Sequence, residues 1–193
     1  MGWMVNEPDP IGRRLVIALD VEDLNQARAL LATLPNGRCR VKIGKGLFTA
    51  VGPAVVDACH QAGFSVFLDL KYHDIPNTVA AACRAAAALG VWMVNVHASG
   101  GRRMLDAARE AVAGCSSPPL LTAVTVLTSA EPEDLRSCGV SRTIDEQVIA
   151  LTGLALTAGL DGVVCSAREA GLLRRHYSET PLMMTPGIRP VGS

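Results

Sequence analysis

The sequence lacks a charge excess of either sign, and it lacks any long apolar run. Its 193 residues carry 18 basic and 18 acidic side chains, so the formal net charge is +0. Without a basic run or stripe, we expect neither nucleic acid nor an acidic membrane as a partner. No stretch has the roughly 18 unbroken apolar residues of a membrane span, so we expect no transmembrane segment.

Two further absences concern the compartment in which the protein works. The N-terminal segment "MGWMVNEPDPIGRR" has no apolar core of the kind that a signal peptide needs. The chain also has no C-x-x-C pair, so neither a zinc site nor a disulfide framework is indicated. We therefore expect a cytoplasmic protein with six reduced cysteines, which are Cys39, Cys59, Cys83, Cys115, Cys138 and Cys165.

Lysine is scarce, and its positions are informative. Only Lys42, Lys45 and Lys71 stand among the 18 basic residues, and arginine supplies the rest. Lys42 and Lys71 fall at the ends of apolar, strand-like runs, where a surface charge is not expected. These two lysines are therefore candidates for a functional site.

Seven short apolar runs alternate with helical patterns along the chain. The runs are rich in Val, Ile, Leu or Met and lack clean polar alternation, which is typical of a parallel sheet covered on both faces. Helical patterns follow several of them, and prolines and glycines mark helix starts and ends, as at Pro76 and Gly90. The predicted strands are 15–20, 40–44, 64–70, 91–97, 120–128, 162–166 and 181–187.

This repetition of strand and helix predicts an α/β fold, a (β/α)8 TIM barrel formed by residues 1–193 as a single domain. An open doubly wound sheet is the alternative, but its glycine-rich first turn is absent from "LDVEDLN". In a barrel, functional groups come from the ends of many strands. Polar residues at or just after predicted strand ends are Asp20, Lys42, Asp69, Lys71, Asn95, His97, Thr128 and Thr185.

The number of strands raises a question, because the sequence stops at Ser193, just after the seventh predicted strand. A barrel without its eighth strand would expose two long edges. We therefore expect that the eighth strand and a C-terminal helix are missing from the chain as given.

Three charged residues are predicted to meet at one end of the sheet. Asp69 and Lys71 are two residues apart on a predicted strand, so strand alternation would point both side chains to one side. Lys42 ends the preceding strand and is adjacent if sequential strands pair. The alternative is a purely structural salt bridge, but that would need only one acid and one base and not three charged residues. Asp74 lies beyond the strand, where a loop can complete a neighbour's site across a two-fold dimer.

These residues belong to the string "DLKYHDIPNTV", which resembles the signature of the orotidine 5′-phosphate decarboxylase family, in its bacterial form. The matching pattern is D-x-K-x-x-D-I-P-N-T. Further similar stretches are "VIALD", "VKIGKGLFTAVGP", "VWMVNVHASGG", "AVTVLTS", "DGVVCSAREA" and "TPGIRP", in the order that the family has them. The resemblance covers essentially the whole chain.

The resemblance implies that orotidine 5′-monophosphate is decarboxylated to UMP and CO2 in pyrimidine biosynthesis, with neither metal nor organic cofactor. Lys71 would protonate C6 of the pyrimidine, and Asp69 would lie near the departing carboxylate. Lys42 and Asp74 of the partner subunit would complete an alternating network around Lys71. The protein would thus be a homodimer with shared active sites.

The resemblance also implies anchors for the rest of the nucleotide. Asp20 and the partner's Thr78 would hold ribose hydroxyls, Thr128 would reach the pyrimidine, and Arg189 would clamp the phosphate. Ile75 belongs to the same substrate-binding set. The family's Gly-Arg after the eighth strand and a Gln after Arg189 are absent from this sequence.

Two other interpretations remain open at this point. One is a Mg²⁺-dependent phosphosugar decarboxylase or aldolase of the same superfamily, which shares the D-x-K-x-x-D string. It would want a further carboxylate after the second strand, where this chain has Lys42 and Lys45. The other is a truncated fragment without catalytic activity.

Overall fold

The computed structural model describes residues 14–177 and 181–188. Within these residues, short strands alternate with helices. The strands are β1 (Val16–Ala18), β2 (Arg40–Gly44), β3 (Val66–Tyr72), β4 (Met93–His97), β5 (Leu120–Val124), β6 (Gly162–Val164) and β7 (Leu182–Met184). The helices are α1 (Leu24–Thr33), α2 (Lys45–Val51), α3 (Ala54–Gln61), α4 (Pro76–Ala88), α5 (Arg102–Ala113), α6 (Pro132–Ser137), α7 (Ile144–Thr157) and α8 (Ala170–His176).

The strands form a sheet whose order follows the chain, β1-β2-β3-β4-β5-β6-β7. Strands of a (β/α) barrel follow one another in this way, whereas a doubly wound sheet reverses direction at a switch point. The predicted α/β barrel architecture is therefore confirmed over the alternative. The described residues contain seven of the eight strands that a closed barrel of this class has.

The chain divides into two compact units, of which the first comprises residues 14–70 and 89–93. Here β1 pairs with β2 and β2 with β3, all in parallel. Val41 and Ile43 of β2 are fully buried, and the consecutive residues Val66, Phe67 and Leu68 of β3 are at most 1% exposed. Burial on neighbouring positions of β3 is what a strand covered on both faces requires, and it explains why the sequence shows no polar alternation there.

The second unit comprises residues 71–88 and 94–188, apart from 178–180. In it β6 pairs in parallel with both β5 and β7. Gly162 begins β6 so close to β7 that a Cβ atom built on it would overlap the carbonyl oxygen of Leu182. Helix α7 begins with a capping box, in which the side chains of Thr143 and Glu146 each accept a backbone N–H of the other.

Several predicted strands are too long, and the excess in one of them changes the position of a predicted site residue. The run 120–128 was expected to be a strand with Thr128 at its end, but β5 ends at Val124. Residues 125 and 126 remain buried, whereas Leu127 and Thr128 are exposed. The apolar letters continue past the strand because buried loop residues look like strand residues in a sequence. Thr128 lies in a turn, not at a strand end.

Concerning membranes, no helix in residues 14–177 and 181–188 has the length and apolar character needed to cross a bilayer.

Candidate active site

A buried ion pair joins the first two charged residues of the predicted cluster. Lys42 Nζ lies 3.2 Å from Asp69 Oδ2, and the two side chains are only 17% and 8% exposed. The parallel register explains the contact, since Gly44 of β2 is opposite Asp69 of β3. The predicted adjacency of Lys42 and Asp69 is thus confirmed. Removing a carboxylate and an ammonium from water costs several kcal/mol per ion, which a close pair offsets in part.

Lys42 differs slightly from its predicted position, because it is the third of five residues in β2 and not the last. Its long side chain makes up the difference. A Cβ built on Gly44 would lie 3.8 Å from Lys42 Nζ, so the ammonium extends to the C-terminal end of the strand. The charge therefore sits at the end of the sheet where barrel enzymes place their active sites.

Lys71 has an unusual backbone. Its φ is 51°, and it is the one non-glycine residue with positive φ among residues 14–177 and 181–188. A side chain in this left-handed region crowds its own carbonyl, which costs about 1–3 kcal/mol unless the surroundings hold it. Strand alternation holds only for extended residues. Because Lys71 is not extended, alternation does not place its side chain on the same side as that of Asp69. Strained residues of this kind cluster at functional sites.

A side-chain amide from the next strand along the chain contacts the backbone of Lys71. The Lys71 N–H donates to Asn95 Oδ1 at 2.8 Å. Asn95 lies in β4 and is 0% exposed. From the sequence, Asn95 is predicted only as a polar residue near a strand end, with no role assigned to it. The available signal was an amide inside the apolar run "VWMVNVH".

The loop after β3 carries the next members of the predicted site. Asp74 is exposed, and its Oδ1 accepts the N–H of Ile75 at 2.6 Å. Ile75 is a large apolar side chain that is 66% exposed. Both line a cavity of about 580 Å³. Its remaining lining consists of His73, Pro76, Ser99, Gly100, Arg103 and Met104.

The predicted substrate anchors have different surroundings. Asp20 is exposed and follows β1 by two residues, so its predicted place after that strand is confirmed. Thr78 is exposed in the first turn of α4, and Thr128 is exposed beyond β5. Arg189, the predicted phosphate clamp, lies outside the described residues.

A second cavity, of about 730 Å³, lies around α6 and the start of α7 and holds none of the predicted site residues. Its two lining arginines are already engaged, since Arg136 pairs with Glu133 and Arg142 Nη1 donates to Gln147 Oε1 at 3.3 Å. Exposed pairs of this kind contribute little energy and show no chemistry that is poised to react.

Burial affects the acidity of several groups near the sheet. Burial raises the pKa of Tyr72, the residue after Lys71, to about 12, with a smaller contribution from Cys83. Burial likewise raises the pKa of the Cys59 and Cys83 thiols to about 12 and that of Cys165 to about 11. These thiols stay protonated at neutral pH, which makes them poor nucleophiles and metal ligands.

Possible metal ligands do not cluster in the part of the chain that the structure describes. There, no three His, Cys, Asp or Glu side chains come together as a metal site would need. The Lys42 ammonium lies 3.2 Å from Asp69 Oδ2 and would repel a divalent cation there.

Comparisons with known proteins agree with this geometry. The profile of the orotidine 5′-phosphate decarboxylase / HUMPS family matches residues 13–193. The chain is 57% identical over 180 residues to the orotidine 5′-phosphate decarboxylase of Halorhodospira halophila, covering 93% of this chain and 76% of that protein. The enzyme of the same name from Teredinibacter turnerae is 53% identical over 182 residues, covering 94% and 78%.

A solved structure is similar over nearly the same extent. The crystal structure of orotidine 5′-phosphate decarboxylase from Lactobacillus acidophilus aligns with a TM-score of 0.84 at 39% sequence identity. The alignment covers 92% of this chain and 82% of that one. A likeness this extensive, at this identity, supports the barrel architecture read from the strand order.

Proposed function

Because the chain belongs to the orotidine 5′-phosphate decarboxylase / HUMPS family, we propose that it converts orotidine 5′-monophosphate to UMP and CO2 in pyrimidine biosynthesis. The reaction needs neither a metal nor an organic cofactor in this proposal. The observation that carries it is the buried Lys42–Asp69 pair at 3.2 Å, within a D-x-K-x-x-D-I-P-N-T motif. Lys42 occupies the position from which a Mg²⁺-dependent relative would need to bind a cation.

The chemical step breaks the bond between C6 of the pyrimidine and its carboxyl group. The electron pair stays on C6 as CO2 leaves, and the Lys71 ammonium then gives its proton to C6. Fixed charges that suit the carbanion better than the substrate lower the barrier, since only such differential interactions speed the chemical step. Asp69 faces the departing carboxylate, and Lys42 holds Asp69 in place. A lysine suits the donor role because arginine would hardly release a proton.

The remaining nucleotide contacts follow from the same family assignment. Asp20 holds a ribose hydroxyl, Thr128 contacts the pyrimidine, and Arg189 binds the phosphate as a bidentate donor. The exposure of Asp20 and Thr128 supports this proposal, because a substrate must reach them.

The site is shared between two copies of the chain in this proposal, which also takes residues 1–193 as one cytoplasmic domain. Asp74 of the partner subunit completes the charged network, and the partner's Ile75 and Thr78 contact the substrate. The exposure of all three residues supports this, since none is turned into the core of its own chain. Ile75, which is 66% exposed, offers an apolar side chain for such a partner to cover.

The proposed activity is tested by incubating the purified chain with orotidine 5′-monophosphate and following UMP by chromatography. We expect turnover that survives excess EDTA. Activity lost in EDTA and restored by Mg²⁺ would instead favour a metal-dependent member of the superfamily. No UMP under any condition would contradict the proposal and favour an inactive fragment.

The shared site is tested by mixing two inactive variants. Lys71→Ala and Asp74→Ala subunits, mixed in equal amounts and allowed to exchange, should regain about a quarter of wild-type activity. The reason is that half the dimers are mixed and each mixed dimer has one complete site. Lys71→Ala mixed with Asp69→Ala is the matched control. Both residues of a site come from one subunit, so each of the two sites in a mixed dimer carries one of the changes and no recovery is expected. Recovery in neither mixture would refute a shared site.

A further inference from the structure

The left-handed backbone at Lys71 needs something to hold it. Lysine gains nothing from a φ of 51°, and the chain adopts this region at no other non-glycine position among the residues described. If nothing held it, the residue would relax toward the extended conformation of the rest of β3 and carry its side chain in a new direction. Conformations of this kind persist only where the surroundings determine them.

Asn95 supplies a directional contact at this point. Its Oδ1 accepts the Lys71 N–H at 2.8 Å, an ordinary length for a strong N–H···O hydrogen bond. The Asn95 side chain is completely buried, so the surrounding core fixes the place of this acceptor. Without the amide, the N–H of half-buried Lys71 would lose this acceptor, which is costly, so the backbone is held where the oxygen lies.

We infer that Asn95 is a positioning residue for the proposed decarboxylation: it fixes the backbone of Lys71 in the left-handed conformation and thereby aims the ammonium at the reacting carbon. The inference rests on the proposed function, since Lys71 is the proton donor there. Asn95 does this through the main chain of Lys71, without contributing a charge. Effects of this kind are large, because a misplacement of about 1 Å in a reacting group can cost about 100-fold in rate.

A buried polar side chain of β5 has a different hydrogen-bond partner. Thr122 is also 0% exposed, and its Oγ1 donates to the Val94 carbonyl at 3.5 Å. It thus joins β5 to β4. Thr122→Val is a matched control, because it removes a buried hydrogen bond from the same part of the sheet.

The experiment compares Asn95→Leu, Asn95→Asp and Thr122→Val in the full chain, by steady-state kinetics and by crystal structures. Leucine has nearly the shape of asparagine but offers no acceptor, so we expect kcat to fall about 100-fold while KM changes less than about threefold. Aspartate keeps an acceptor oxygen at the same place and should regain most of the turnover. Thr122→Val should keep kcat, even if it costs a similar amount of stability in urea.

The crystal structures give a readout that does not depend on activity. In Asn95→Leu we expect φ of Lys71 to leave the left-handed region, and in Asn95→Asp we expect it to remain there. The inference is overturned if Asn95→Leu keeps kcat, if KM rises as much as kcat falls, or if φ of Lys71 stays near its present value. A wild-type chain that forms no UMP would refute the proposed function, and the backbone of Lys71 in Asn95→Leu would still decide what Asn95 holds.

Discussion

Two lysines, Lys42 in the first unit and Lys71 in the second, are held in different ways. Lys42 is an ordinary strand residue in β2, and its position is set by a charge pair at the end of its side chain, 3.2 Å from Asp69. Lys71 is held by its backbone, which has a φ of 51° and donates its N–H to Asn95 Oδ1. The contact described for Lys42 lies at the tip of its side chain, and the contact described for Lys71 lies at its main chain.

The difference suits the two roles. A lysine that only holds a carboxylate can tolerate small shifts, because an ion pair weakens gradually with distance. A proton donor must approach one atom at a defined angle. The ammonium of a flexible four-carbon side chain samples fewer positions if the backbone from which the side chain starts is fixed. The comparison predicts that the two lysines respond differently to substitution.

The largest effect is expected at Lys71. Lys71→Ala should lower kcat by about 10⁴-fold or more, because it removes the proton donor and the charge beside the carbanion. Lys71→Arg keeps the charge but should be nearly as inactive, since guanidinium does not give up its proton. Both variants should still bind UMP in calorimetry. Near-normal turnover in either would contradict the assignment of Lys71.

A smaller loss with a clear structural part is expected at Lys42. Lys42→Met leaves the Asp69 carboxylate buried without this partner, so the free energy of unfolding should fall by about 3 kcal/mol together with activity. Combining it with Asp69→Leu should restore stability but not activity. The surface pair gives the control, since Arg136→Ala should change stability by less than about 0.5 kcal/mol. Full activity in the stable double variant would mean that the pair is only structural.

A modest effect is expected at Thr128, which lies beyond the strand end. Thr128→Val should raise KM about tenfold, the equivalent of one hydrogen bond to the substrate, and leave the unfolding free energy unchanged because the side chain is exposed. Thr125→Val is the contrasting variant, since buried Thr125 Oγ1 donates to the Val164 carbonyl at 3.2 Å. It should lower stability with little change in KM. Equal KM values for Thr128→Val and wild type would remove Thr128 from the site.

The smallest effect is a loss of stability at alkaline pH, which comes from buried thiols in both units. Burial raises the pKa of Cys59, in the unit of Lys42, and of Cys83, in the unit of Lys71, to about 12 from 9.0. Unfolded thiols ionise at the lower value, so the folded state binds more protons above it and stability falls as the pH rises from about 9 toward 12. We expect the urea midpoint to fall between pH 8 and pH 10. Cys83→Ala should weaken that dependence; an unchanged pH dependence would contradict it.

Much of the architecture could be predicted from the sequence, because a parallel sheet leaves uninterrupted apolar runs. The limits of β2 were predicted to the residue, and the pairing of sequential strands brought Lys42 to Asp69 as expected. The end of β5 was wrong, since burial continues beyond its last hydrogen-bonded residue. The backbone of Lys71 could not be predicted, because it depends on an amide 24 positions away in the chain.

The close approach at Gly162 has a consequence for how this protein can change over generations. A codon for glycine can reach alanine in a single base change, yet even that methyl group would meet the main chain of Leu182, which no rotamer can move aside. At Gly139, by contrast, an added carbon would meet nothing within 4 Å, although a φ of 79° still favours glycine or asparagine. In a library of random variants, functional members should therefore carry no substitution at position 162 and only a few different residues at position 139.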